Sequence, residues 1–381
     1  MHKVLLVAVA GVAAVALAVG LWWWLVVRNA SWPAWEAFAE GFVQVDGRVV
    51  DHTAGGRTVS EAQAYGAFFA LVANDPVRFD AIVAWTQNNL SGGNFATQLP
   101  AWLWGEKDDG SWGVKDPNAA SDADLWLAYA LFEAARLWGA PRYHTMAQDL
   151  LALVKEKEVV ELPGVGAMLL PAPQGFQRDD GHWRLNPSYL PEFQLRYLQY
   201  QDPAGPWAAI WTHHLGLMQQ HLSLGLVPDW FEVDEAGQPL ACRETGNLGS
   251  YDAIRSYLWA AMTPAETEGQ GLLPLVAVAA PVLRRGVAGE PAEKVDVATG
   301  QAVGQMPLGF AAALLPYFTA LDDHDSVAAL KARLKSQRHD DGQLGQPPHY
   351  YDQVLALFGE GHLDERFSFD GLGRLNTRWA H

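Results

Sequence analysis

The sequence predicts an all-α fold in a single soluble domain, and three observations carry that expectation. Apolar residues recur at helical spacing in stretch after stretch, as in Leu127, Leu131, Ala134 and Trp138. Helix-start chemistry, a Ser, Thr, Asp or Glu beside the first apolar residue, precedes several of these stretches. No composition break or low-complexity linker interrupts residues 31–381, so the reading is about a dozen paired helices joined by loops that carry function.

The chain begins differently. Residues 4–27 form an apolar run without charge, bounded by Lys3 and Arg28 and long enough to cross a bilayer as a helix. The expectation is an uncleaved signal anchor over residues 1–30, with Trp22, Trp23 and Trp24 at the outer interface. Ala16-Leu17-Ala18 is a candidate signal-peptide exit, and cleavage there would release the protein.

Residues 31–41 read as a short first helix with Trp32, Trp35 and Phe38 on one side. Asp46-Gly47 is a turn between two β-like pieces. Thr58-Val59-Ser60-Glu61 opens the next helix, and Asp75-Pro76 starts another with proline at its first position. Residues 98–112 read as a loop rich in glycine and charge that displays Trp102, Trp104 and Trp112. Helices follow over 121–138 and 142–157, then a β-like stretch over 159–174. Asn186-Pro187-Ser188-Tyr189-Leu190-Pro191 is a rigid loop presenting Tyr189. A long helix spans 207–225; its adjacent His213 and His214 face different sides and do not match metal spacing. Further helices are expected after Ser250 and over 271–285, 307–321, 325–335 and 350–358. Residues 286–304 read as a turn-rich hairpin or loop, and 366–379 as a closing hairpin around Asp370-Gly371.

A formal net charge of −17 disfavours nucleic acid and anionic lipid as partners and leaves neutral polymers open. The single cysteine, Cys242, excludes an intramolecular disulfide framework and argues against a zinc–thiolate site. The excess of tryptophan, 17 residues, supplies both core and flat faces for stacking on sugar rings. GxxxxGK[ST], HExxH and GxSxG are absent, which argues against phosphoryl transfer, zincin proteolysis and serine hydrolysis.

Carboxylates stand at three helix starts. Glu61 shares a face with Tyr65, Phe68 and Val72; an acid on an apolar face is unfavourable unless paired or kept protonated, and a raised pKa suits a general acid. Asp252 has Arg255 one turn on, which would hold it ionised as a general base requires. Asp122 and Asp124 occupy the first turn of the helix that runs to Trp138. Each has a plainer reading: capping boxes Thr58-x-x-Glu61 and Ser121-x-x-Asp124, and a helical Asp–Arg pair.

The stretch Ala120-Ser121-Asp122-Ala123-Asp124 resembles the signature of glycoside hydrolase family 8. Thr58–Gly66, Leu99–Gly105, Asn186–Pro191, Ser250–Arg255 and Glu293–Gly300 strengthen the resemblance, which extends over nearly all of residues 32–379. Within the family these motifs are similar to those of endoglucanases that accompany bacterial cellulose synthase. Leu127 departs from the Ile or Met usual in the signature, and the apparent anchor departs from a cleaved signal.

The resemblance implies an (α/α)6 barrel with an open cleft, preceded by the N-terminal segment, and an endo-β-1,4-glucanase that inverts. Glu61 matches the acid, Asp252 the base, and Asp122 and Asp124 the signature acids, one of which, with Asp122 favoured, orients the sugar. Inverting hydrolysis needs a protonated acid on the leaving oxygen and a carboxylate that activates water. Tyr251 and Arg255 would fix Asp252; Trp102, Trp104, Trp112, Trp183 and Tyr189 would stack glucose rings, and Tyr65 would line the same site. No metal or organic cofactor is required. The implied partners are a β-1,4-glucan chain and the cellulose synthase complex, at the periplasmic face of the inner membrane. The alternatives are a membrane-tethered glucan-binding factor without catalysis and a family 8 xylanase or chitosanase.

Overall fold

The computed structural model describes residues 31–264 and 271–380. The expected anchor over residues 1–30 lies outside them, and among the described residues no helix is long and apolar enough to cross a membrane. In chain order the helices are α1 (Pro33–Phe42), α2 (Ser60–Val72), α3 (Pro76–Leu90), α4 (Ser121–Trp138), α5 (Pro141–Lys157), α6 (Glu192–Gln201) and α7 (Trp207–His221). They continue as α8 (Ala253–Met262), α9 (Leu273–Val276), α10 (Ala280–Val287), α11 (Leu308–Ala320), α12 (His324–Ser336) and α13 (Tyr350–Leu363).

Six helices, α2, α4, α6, α8, α11 and α13, make a closed circuit: each packs on the next, and α13 returns to α2 through Phe358 against Phe68 and Phe69. The others lie outside it, with α3 on α2, α5 on α4, α7 on α6, α12 on α11 and α1 on α13. The residue pattern explains the two layers. α2 and α11 are buried almost all round, whereas α5 and α12 bury one stripe and show charge elsewhere.

The tryptophan excess now has a place. Phe68, Trp126, Phe193, Trp259 and Phe358, from five different inner helices, meet in a loop of ring contacts with centroids 5.0–6.3 Å apart. Such pairs add about 0.5–1.5 kcal/mol each beyond the area they bury. Phe369, from the closing hairpin, stacks on Phe193 at 3.8 Å and reaches Phe68 at 6.5 Å.

Two helix signals set the layout. Asp75 accepts from the N–H of Arg78 and starts α3 ahead of Pro76. Pro316 sits inside α11 and lacks the N–H that would bond the carbonyl of Ala312. Gly359 of α13 packs against that carbonyl, where a Cβ would lie 2.0 Å from it.

The all-α expectation needs amending: five small antiparallel sheets decorate the helices among the described residues. Residues 98–112, read as a loop, contribute β2 (Leu103–Glu106), which pairs with β1 (Thr58–Val59) and β3 (Trp112–Asp116) around a turn closed by Lys107 and Gly110. The charged tip hid two short strands. Beyond them, the stretch read as β-like forms a hairpin of β4 (Val159–Leu162) and β5 (Gly166–Leu169), and an unforeseen sheet joins β6 (Trp183–Leu185), β7 (Phe231–Val233) and β8 (Pro239–Ala241). β9 (Leu248–Gly249) joins β10 (Lys294–Asp296) and β11 (Ala302–Val303), and β12 (Phe367–Phe369) with β13 (Leu375–Thr377) forms the closing hairpin. α6 was unforeseen, and the single helix expected over 271–285 is broken at Ala277–Ala279.

Candidate active site

The predicted acids converge because helix starts converge. Glu61 is the second residue of α2, Asp122 the second of α4, and Asp252 stands immediately before α8. Each therefore sits at an inner-helix N-terminus, where free N–H groups favour negative charge. Neither capping box forms, since α2 and α4 have no side-chain N-cap hydrogen bond among the described residues, whereas the helical Asp252–Arg255 pair is present. The Thr58 hydroxyl donates to the Val49 carbonyl instead, and Ser121 Oγ has no hydrogen-bond partner among the described residues.

Arg255 is the hub. Its Nη2 donates to Asp252 Oδ1 at 2.7 Å and to Ser188 Oγ at 2.8 Å, and lies 3.8 Å from Asp122 Oδ2. Its Nη1 donates to the Tyr351 hydroxyl at 3.0 Å, and that hydroxyl donates to the Tyr251 carbonyl at 2.7 Å. The guanidinium sits 5.9 Å from the Tyr189 ring centroid.

Glu61 is partly open to the surface, yet burial is the largest influence on it and holds its carboxyl above the ordinary range. Its own backbone N–H and the Arg255 charge pull the other way, and the Asp252 charge adds to the rise. Glu61 thus feels the Asp252 charge, and no hydrogen bond joins the two among the described residues. Burial, then the Glu61 charge, lifts Asp122 well above the ordinary range against the pull of Arg255. Asp122 Oδ1 accepts from the Ala123 N–H, while Oδ2 has no hydrogen-bond donor among the described residues.

Asp124 differs from Asp122. It is fully buried and faces Glu158, the buried C-cap residue just after α5. Burial, reinforced by acidic neighbours, lifts both carboxyls well above the ordinary range. Two buried carboxyls that meet without a cation favour the protonated form. Tyr65 is 3% exposed, packed edge-on against Trp126 and Phe358 under the acids, and its hydroxyl feels Arg255, Asp122 and Glu61.

The aromatic candidates separate. Tyr189 is half-buried and feels the charges of Asp122, Glu61, Asp252 and Arg255. Trp102 precedes β2, and its carbonyl accepts from the N–H of Ser60, beside Glu61. Trp104 and Trp112 lie 5.4 Å apart, with the Arg48 guanidinium 4.2 Å and 5.0 Å from their respective centroids; Trp112 is 47% exposed. Trp183 is only 6% exposed, paired across β6 with Val233, and belongs to the core. Tyr251 needs a correction: its hydroxyl turns to Glu293 at 3.1 Å, and only its carbonyl joins the Arg255 network.

Sequence reasoning missed Tyr351, Ser188, Glu158 and Asp229. Tyr350-Tyr351 at a helix start repeats the arrangement of aromatics beside Glu61 and Asp252, which was a usable signal. A candidate cation cluster also exists among the described residues, with ligand atoms of Glu232, Cys242 and Glu244 within 4.8 Å of one another. Glu232 already meets Arg243 at 2.9 Å and Arg178 at 3.2 Å, so arginines occupy the role a cation would take.

The sequence pattern of the glycosyl hydrolases of family 8 matches residues 10–365. An endoglucanase of Xanthomonas axonopodis pv. citri is 45% identical over 350 residues, spanning 91% of this chain and 89% of that protein. An endoglucanase of Escherichia coli K12 is 41% identical over 354 residues, spanning 92% of each. The crystal structure of an endo-1,4-D-glucanase from Vibrio fischeri superposes with a TM-score of 0.84 at 36% identity, covering 92% of this chain and all of that one. A cluster of acids at the inner-helix starts, on a helical fold shared with these proteins, places this chain in glycosyl hydrolase family 8.

Proposed function

We propose that this endoglucanase cleaves internal β-1,4 links of a glucan with inversion, with Glu61 as general acid and Asp252 as general base, on an (α/α)6 barrel. The observation that carries the reading is the contrast between the two carboxyls. Burial favours the protonated form of Glu61, which a donor to the leaving oxygen needs. Asp252 is ion-paired with Arg255 at 2.7 Å, a setting for an acceptor. The Asp252 charge reaches Glu61 and no hydrogen bond joins the two among the described residues, as an inverting pair, which needs a gap of about 6.5–9.5 Å for the attacking water, would require. The alternation of inner and outer helices supports the barrel.

In the reaction, Asp252 removes a proton from water, the oxygen attacks the anomeric carbon, and Glu61 delivers its proton to the departing glycosidic oxygen. Asp122, with its unpartnered Oδ2 near Arg255, accepts a hydroxyl of the sugar at the cleavage point and orients it. Asp124, turned to Glu158, supports this helix start. Tyr189, Trp102, Trp104 and Trp112 offer ring faces along the cleft. In the cell, the enzyme acts at the periplasmic side of the inner membrane, held by residues 1–30, on glucan made by cellulose synthase. The motif similarity supports the link to cellulose synthase, the apolar run over residues 4–27 supports the anchoring, and the intact acid set argues against a non-catalytic binding factor.

Glu61→Gln and Asp252→Asn should each abolish most release of reducing ends from soluble β-glucan while keeping helical circular dichroism. NMR of fresh product should show the α-anomer first; an initial β-anomer would overturn inversion. Comparing cellopentaose, xylohexaose and chitosan oligomers tests the substrate class.

A further inference from the structure

An aspartate at a helix start ordinarily turns its side chain back onto the first free N–H groups. Asp252 occupies that place before α8 and makes no such bond, because its carboxylate goes to Arg255. The orphan N–H groups are met from elsewhere. Asp229, on the segment entering β7, places one oxygen where it accepts from the N–H of Ser250 at 2.8 Å, Asp252 at 3.0 Å and Ala253 at 2.8 Å. Its own N–H donates to the Leu248 carbonyl at 2.7 Å, which ties it to β9 just before the same turn. Asp229 is 7% exposed.

We propose that Asp229 is the positioning residue of the base: it caps α8 in place of Asp252, fixes the Ser250–Ala253 turn, and so leaves the Asp252 carboxylate free for water. This rests on Asp252 being the base. Three donors on one oxygen define the turn more tightly than a single cap would, and a base that must meet a water in line gains from a fixed backbone.

The device depends on charge. Burial, then the Asp252 carboxylate, pushes Asp229 up to about 6, against its three backbone N–H donors. The other groups facing it are the Tyr257 hydroxyl of α8 and the Tyr351 hydroxyl of α13, with Arg255 on the far side of Asp252. Above about 6 the ionised oxygen is a strong acceptor and the turn is held; below it, protonation weakens all three bonds.

The test compares kcat and KM of wild type, Asp229→Asn, Asp229→Ala and Asp252→Asn on soluble β-glucan between about pH 4 and about pH 8. Asp229→Asn keeps the shape and an acceptor oxygen but cannot ionise. At neutral pH its kcat should fall about tenfold with KM unchanged within about twofold. The wild-type advantage should shrink toward unity as pH drops below about 6. Asp229→Ala should lose more. A wild-type-to-Asn ratio that stays constant with pH, or an Asn variant with wild-type kcat throughout, overturns the proposal even if the alanine variant fails to fold. Near wild-type activity in Asp252→Asn overturns the reading of the base instead, and is read independently of Asp229.

Discussion

Nη2 of Arg255 donates to Oδ1 of Asp252 at 2.7 Å, one turn earlier at the start of the same helix. The sequence spacing announced that pair, but not what else the guanidinium holds. The same nitrogen bonds Ser188 and approaches Asp122, and its neighbour bonds Tyr351, so one planar group sets the relative positions of residues from four parts of the chain. A lysine carries the charge but not the fork. Arg255→Lys should therefore keep the fold and lower kcat by about a hundredfold, with a smaller change in KM. Initial rates on soluble β-glucan, with circular dichroism as control, check it; a loss under about threefold would show that charge alone suffices.

Tyr351 rather than Tyr251 should prove the functional tyrosine hydroxyl. Tyr351 accepts from Arg255 and donates to the backbone of the turn that carries Asp252, while the Tyr251 hydroxyl turns to Glu293. Tyr351→Phe should cut kcat about tenfold, from the loss of a hydrogen bond to a charged group. Tyr251→Phe should change it by less than about twofold. The reverse order in steady-state kinetics would restore the expectation drawn from Ser250–Arg255.

Trp112 and Trp183 were read alike from sequence and should behave oppositely. Trp112→Ala removes an exposed ring beside Trp104 and should raise KM for long glucan several-fold, leaving kcat and melting temperature near wild type. Trp183→Ala empties a buried site and should cost about 3–5 kcal/mol of stability. Denaturant melts and kinetics on both variants separate the roles; a stable Trp183→Ala with raised KM would return that ring to the cleft.

The difference between those two tryptophans shows what was legible. Helical periodicity placed α2, α4 and α8 and put Glu61, Asp122 and Asp252 at their starts, because burial of one face leaves a period in the chain. Short strands leave no such trace, so β2, β3 and β6, and with them the setting of Trp104, Trp112 and Trp183, went unseen. Partners distant in sequence were equally invisible: Asp229 reaches the turn before α8 from 21 to 24 residues away, and Tyr351 reaches Arg255 across 96. Neither spacing follows from local periodicity.

Asp124 and Glu158 give the last prediction, one of stability rather than rate. Both are fully buried, and both titrate in the fold well above their ordinary values of 3.8 and 4.5. Between those ordinary values and the raised ones, the folded chain holds more protons than the unfolded chain. Stability attributable to the pair is therefore present at acid pH and falls as pH rises through that window. Asp124→Asn removes one ionisable member and leaves an amide N–H that can donate to Glu158. Its melting temperature relative to wild type should climb with pH, and at about pH 8 the variant should be the more stable by about 2 °C or more. Calorimetry at about pH 5 and about pH 8 checks the sign. A difference independent of pH, or a variant that loses ground as pH rises, would mean that the two carboxyls do not carry their protons into the folded state.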